Sequence, residues 1–217
     1  MSDIREQIAK LSPEQRKLFL QRLQQMPAHA PAPVLIQHIP RRAAAMPAPL
    51  SFAQQRMWLL DQLEPGNPLY TLTPTMRLTG PLDVAALERS LNAIIRRHEA
   101  LRATFPAVDG QPVQVLAPQL STPLPLTDLR DHPLANRETA AQALLDAASE
   151  YRFDLASGPL VRAQLLRLAG NEHILTVMMH HIVSDGWSLG VLIRELMALY
   201  VAQTTNTAAT LPALPIQ

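Results

Sequence analysis

The apolar run at residues 174–179 (ILTVMM) ends on His180-His181 and then on the turn pair Asp185-Gly186. A run this short, bounded by polar residues, is too brief for an ordinary helix and reads as a buried strand. Gly186 permits the turn because it accepts backbone angles closed to other residues. Beyond it, Leu189, Leu192, Ile193, Leu196 and Leu199 recur at helical spacing, and Ser188 stands where an N-cap is expected. The chain therefore has to fold around a strand, a tight turn and a helix, with two imidazoles, a carboxylate and a glycine at their junction. Chemistry is usually placed at such a junction.

The flanking segments supply the partners. Residues 161–168 and 173–180 read as two strands joined by a hairpin at Gly170-Asn171. Residues 83–101 form a strong amphipathic helix capped by Asp83, with Leu87, Leu91, Ile94, Ile95, His98 and Leu101 on one face. Ser51 and Gln54 make a capping box for a helix at residues 51–60, whose Phe52, Trp58, Leu59 and Leu60 are expected to face the core. A strand interrupted by Pro74 spans residues 70–82, and residues 102–105 and 113–116 are strands around an Asp109-Gly110 turn. Residues 117–133 are proline-rich and read as extended, and a helix follows at 135–151. This order predicts an α/β fold: a mixed sheet with packed helices. Ahead of it, residues 1–26 read as a helical leader or a docking segment, and residues 27–49 as a proline-rich linker to a body at 50–217.

Composition narrows the function classes. A formal net charge of +1 gives no electrostatic reason to expect nucleic acid or a membrane surface as partner. No segment approaches the roughly 18 apolar residues of a membrane span. The absence of cysteine removes thiolate nucleophiles, disulfides and Cys-based zinc sites, and fits a reducing cytoplasm.

Adjacent strand residues point to opposite faces, so His180 and His181 do not form a ready pair of ligands. A metal site built from His180, His181 and Asp185 is disfavoured on that ground. An imidazole projecting into a cleft suits proton transfer. Asp185 can reach back around the turn, and Gly186 leaves its N–H open to approach. A satisfied histidine before an ordinary turn is the plainer reading of either piece alone; the whole string argues against it.

His180-His181-Ile182-Val183-Ser184-Asp185-Gly186 resembles the HHxxxDG motif of the condensation domains of nonribosomal peptide synthetases, in the chloramphenicol acetyltransferase-like superfamily. Residues 51–60, SFAQQRMWLL, resemble that family's SxAQxRLWxL motif, with Met57 for Leu. Residues 97–105, RHEALRATF, resemble RHExLRTxF, with Ala103 for Thr. Residues 153–155 and 158–162 are also similar to the family.

The resemblance implies a chloramphenicol acetyltransferase-like half-domain, the N-terminal lobe, in which a carrier-bound amine attacks a carrier-bound thioester. It implies His181 as base or positioner of the amine, Gly186 as an oxyanion donor and His180 as support from the other face. Asp185 becomes structural, held by an arginine, with Arg97 the first choice and Arg56 the second. No cofactor is implied on the chain itself, since substrates ride on the phosphopantetheine of carrier domains. The implied partners are those carriers, a C-terminal lobe, a downstream adenylation domain and, through residues 1–26, an upstream synthetase. A fragment of this kind is expected to be inactive alone. A docking module and a stand-alone acyltransferase of the same superfamily are the alternatives.

Overall fold

The computed structural model describes residues 48–217. The leader at 1–26 and nearly all of the linker at 27–49 lie outside them. Ala48 forms an antiparallel bridge with Gln114 and Leu50 is buried, so the described fold takes in the end of the proline-rich stretch.

The sheet is built on two long strands, β8 (Val161–Ala169) and β9 (Glu172–His180), paired antiparallel as the hairpin pattern predicts. On the far side of β9 lie β1 (Thr71–Leu72) and β2 (Thr75–Thr79), both antiparallel to it. Pro74, which has no N–H to give a ladder, separates the two. On the far side of β8 lies β7 (Leu126–Asp128), in parallel register. The sheet is therefore mixed. β7 falls in the stretch read as merely extended. Two short hairpin pairs stand apart: β3 (Ala103–Thr104) with β6 (Val115–Leu116), and β4 (Ala107–Val108) with β5 (Gln111–Pro112).

Helices cover both faces, which explains why β9 is apolar on both sides. On one face, α2 (Val84–Arg97) and α4 (Gly186–Thr205) bury Leu87, Leu91, Ile94, Ile95, Leu192 and Leu196. These meet Val161, Ala163 and Leu165 of β8 and Leu175, Val177 and Met179 of β9. On the other face, α3 (Leu134–Ser149) packs Ala141, Leu144 and Leu145 around Leu166, Leu168 and Ile174. A third cluster, including Phe105, Phe153, Leu155, Leu160, Met178 and Ile182, lies beneath the end of β9.

The chain reaches β8 through Gly158, whose φ of +61° places it in the left-handed region. A Cβ there would lie 2.8 Å from Thr104 Cγ2, so only glycine fits this close approach.

Helix α1 (Phe52–Leu63) departs from expectation on its outer face. Its capping box forms, with Ser51 Oγ accepting from Gln54 N–H at 3.2 Å and Gln54 Oε1 from Ser51 N–H at 2.9 Å. Met57 and Trp58 pack inward, and Trp58 Nε1–H donates to Phe105 O at 3.0 Å. Phe52 and Leu59, however, are 90% and 56% exposed. Both lie on the side of the helix turned away from the Met57–Trp58 contact.

Candidate active site

The two histidines separate sharply. His180 closes β9, donates its N–H to Leu160 O at 3.1 Å and is 2% exposed. Phe153 meets its ring edge-on at 6.3 Å, and Tyr70 lies 6.2 Å away on a tilt. Its Nδ1 accepts the N–H of Ile182 at 3.0 Å, which fixes the turn after the strand and puts the ring proton on Nε2. Burial, and secondarily the neighbouring His181, push its pKa down to about 4. His180 is thus a buried imidazole bonded to the turn that follows the strand.

His181 is the first residue past the strand. Its N–H donates to Tyr70 O at 2.8 Å, and its side chain is exposed. It lines an open groove of about 510 Å3 with Ser51, Gln54, Met57, Ala100, Asp185 and Ser188, among others. His180 is not part of that wall. The Gln54 amide reaches across to Ile182 O at 3.5 Å, joining α1 to the same turn. Two motifs 128 residues apart therefore form one rim.

Asp185 has a different partner from the one expected. It is itself the N-cap of α4: its Oδ1 accepts from Ser188 N–H at 2.8 Å, and its own N–H donates to Ser188 Oγ at 2.7 Å. Ser188 is thus the third helical residue of a reciprocal capping box, not the cap. The bonds from the backbone and hydroxyl of Ser188 hold the Asp185 carboxyl below the usual carboxylate range.

The arginine partner does not materialise among the described residues. Arg97 ends α2 facing the middle of α4, where Glu195 is the carboxylate within reach. Its Nε lies 3.2 Å from Glu195 Oε2, and Nη2 donates to Pro212 O. Arg56 is exposed on α1 and makes no ion pair with Asp185. Replacing Asp185 with alanine should therefore cost about 1 kcal/mol of stability through the lost cap. Asp185→Asn should recover most of it. Thermal unfolding checks this, and a melting temperature unmoved by Asp185→Ala would contradict the capping role.

Glu195 was not legible as a site residue. It lies on the buried side of α4, 8% exposed, and also meets His98 Nε2 at 2.7 Å. One carboxylate thereby ties both Arg97 and His98 of the RHE motif to α4. Its position beside Leu192 and Leu196 on the inward face was the available signal.

Gly186 opens α4. N–H groups in the first turn of a helix have no intrahelical acceptor. A Cβ built on Gly186 meets nothing within 4 Å, so a side chain there would enter open space. Asp185 and Ser188 on either side of it line the His181 groove.

A mixed sheet clad in helices carries a histidine at the strand end beside the N-terminus of the last helix. The chain belongs to the condensation-domain family, whose model (Condensation domain) matches residues 45–217. It is 48% identical over its whole length to phosphinothricin tripeptide synthetase PhsC of Streptomyces viridochromogenes, covering 20% of that protein. It is 44% identical over 78% of its length to chondramide synthase cmdD of Chondromyces crocatus, covering 4% of that protein.

Among solved structures, the starter condensation domain of rhizomide synthetase RzmA superposes with a TM-score of 0.73 at 26% identity, over 79% of this chain and 41% of that one. The first condensation domain of the calcium-dependent antibiotic synthetase gives 0.70 at 30% identity, over 78% and 41%. The expected chloramphenicol acetyltransferase-like fold is the fold of these domains. The chain is part of a nonribosomal peptide synthetase condensation domain, spanning about two fifths of the solved domains it matches.

Proposed function

We propose that the groove around His181 is one wall of an amide-forming site. The amine of a carrier-bound aminoacyl group attacks the carbonyl carbon of a carrier-bound acyl thioester. A C–N bond forms, the C–S bond breaks, and the proton lost by the amine ends on the departing phosphopantetheine thiolate. His181, presented on the groove, holds the amine for attack or relays that proton. The N–H of Gly186 donates to the oxyanion of the tetrahedral intermediate, in a direction fixed by the Asp185–Ser188 box. His180, neutral and bonded to Ile182, keeps the turn rigid beneath them. The rest of the domain supplies the facing wall, so this chain alone turns over little or nothing. Carrier domains and an adenylation domain are its working partners, in the cytoplasm.

The observation that carries this reading is the opposite fate of the two histidines, one buried and bonded, the other exposed on the groove. Gly186 offers a direct test. Proline is tolerated at the first position of a helix, and the extended Asp185 backbone (φ −139°, ψ −177°) suits a residue before proline. Gly186→Pro in the intact synthetase thus deletes one N–H and keeps the helix. Single-turnover condensation should fall by about 10²–10³-fold, while Gly186→Ala, which keeps the N–H, stays far closer to wild type. Equal rates for the proline and alanine variants would remove Gly186 from the chemistry.

A further inference from the structure

Helix α4 begins at the His181 groove and, over its 20 residues, carries the chain about 30 Å away from it. Asn206, in the left-handed region at φ +54°, ends the helix, and residues 207–217 continue without helix or strand. That segment comes back toward the groove. Pro212 O accepts from Arg97 Nη2, Gln217 Nε2 donates to Arg97 O at 2.9 Å, and Gln217 Oε1 accepts the N–H of Glu99 at 3.1 Å. Ala100, the residue after Glu99, lines the groove.

The segment is held and not slack. Pro212 and Pro215 fix φ at two positions, and proline-rich extended chain behaves as a semi-rigid spacer. Leu211 and Leu214 are half-buried while the residues beside them are exposed. Arg97 is in turn held from behind: its Nε lies 3.2 Å from Oε2 of the buried Glu195, which also meets His98 Nε2 at 2.7 Å. A guanidinium is planar and rigid, so one group bonded to both Glu195 and Pro212 O fixes the segment relative to α4 as well as α2.

Where the groove is one wall of the site, a C-terminal lobe carries the other, and residues 207–217 lead toward it. We propose that Arg97 and Gln217 are positioning residues for the amide-forming reaction. They fix the point at which the chain crosses to the C-terminal lobe, at the rim of the groove, and so set the facing wall relative to His181 and Gly186. The inference rests on the reading of the groove as the amide-forming site. Placement matters at this scale, since a shift of about 1 Å in reacting groups can cost about 10²-fold in rate.

The test loosens the anchor and then adds slack to the segment. Gln217→Ala removes two hydrogen bonds made by an exposed side chain. Arg97→Lys keeps a cation beside Glu195 and loses the planar donor to Pro212 O. In the intact synthetase with both carriers loaded, single-turnover condensation by the double variant should fall about 10-fold or more, at a melting temperature near that of wild type. Two glycines inserted between Ala208 and Ala209, ahead of the anchor, should leave the wild-type rate within about twofold, because the anchor absorbs the added length. In the double variant the same insertion should cost at least about fivefold more, because the slack now reaches the facing wall. A contact of merely structural value would combine additively with the insertion. An insertion that acts equally in both backgrounds, or a double variant within about twofold of wild type, would overturn the proposal. Should Arg97→Lys lower the melting temperature, Gln217→Ala alone gives the same comparison with the Arg97–Glu195 pair intact. A failure of the groove reading is distinct, since it shows as an unchanged rate for His181→Ala with the anchor in place.

Discussion

In the intact synthetase, His181→Ala should lower peptide-bond formation by about 10²–10⁴-fold, the range for losing a positioned general base, with a melting temperature close to that of wild type. Both halves follow from the geometry. The side chain is exposed on the groove, and the hydrogen bond that the residue gives to Tyr70 O comes from its backbone, which alanine retains. Truncation therefore leaves no void and no orphaned polar group. His181→Asn, which can hold an amine but relays a proton poorly, separates the two roles. Recovery of a substantial part of the rate would indicate positioning. A loss as deep as that of alanine would indicate proton transfer.

The neighbouring residue should behave in the opposite way. His180→Ala should destabilise the fold by about 3–5 kcal/mol. A buried ring removed from between Tyr70 and Phe153 leaves a cavity, and large-to-small changes of this kind typically cost about 2–5 kcal/mol. The N–H of Ile182 also loses its buried acceptor, at about 1–3 kcal/mol. At this chain length each kcal/mol moves the melting temperature by about 2–4 °C, so a drop of about 10 °C is expected by calorimetry. An unchanged melting temperature would contradict the structural assignment of His180.

Much of this arrangement was legible in the residue order. Alternation along a strand is a local property, so opposite directions for His180 and His181 could be expected, with the choice between them resting on the family resemblance; the capping box of Ser51 and Gln54 could be read directly. What escaped depends on contacts distant in sequence. β7 lies in a proline-rich stretch with no strand pattern of its own and is set by parallel pairing with β8. The Arg97 partner could not be chosen from sequence because several carboxylates compete for one guanidinium, and Glu195 wins through the packing of α2 on α4. Asp185 was available to cap its own helix, a local bond that needs no arginine. The outward Phe52 and Leu59 show the same limit: hydrophobicity marks an apolar face but not what covers it.

On the proposed reading, adjacent histidines divide support from chemistry. Single-turnover peptide-bond formation by His181→Ala, measured on intact synthetase of wild-type melting temperature with both carriers loaded, tests it most directly. The expected rate is at least about 100-fold below wild type. A rate within about threefold of wild type in a folded variant would contradict it.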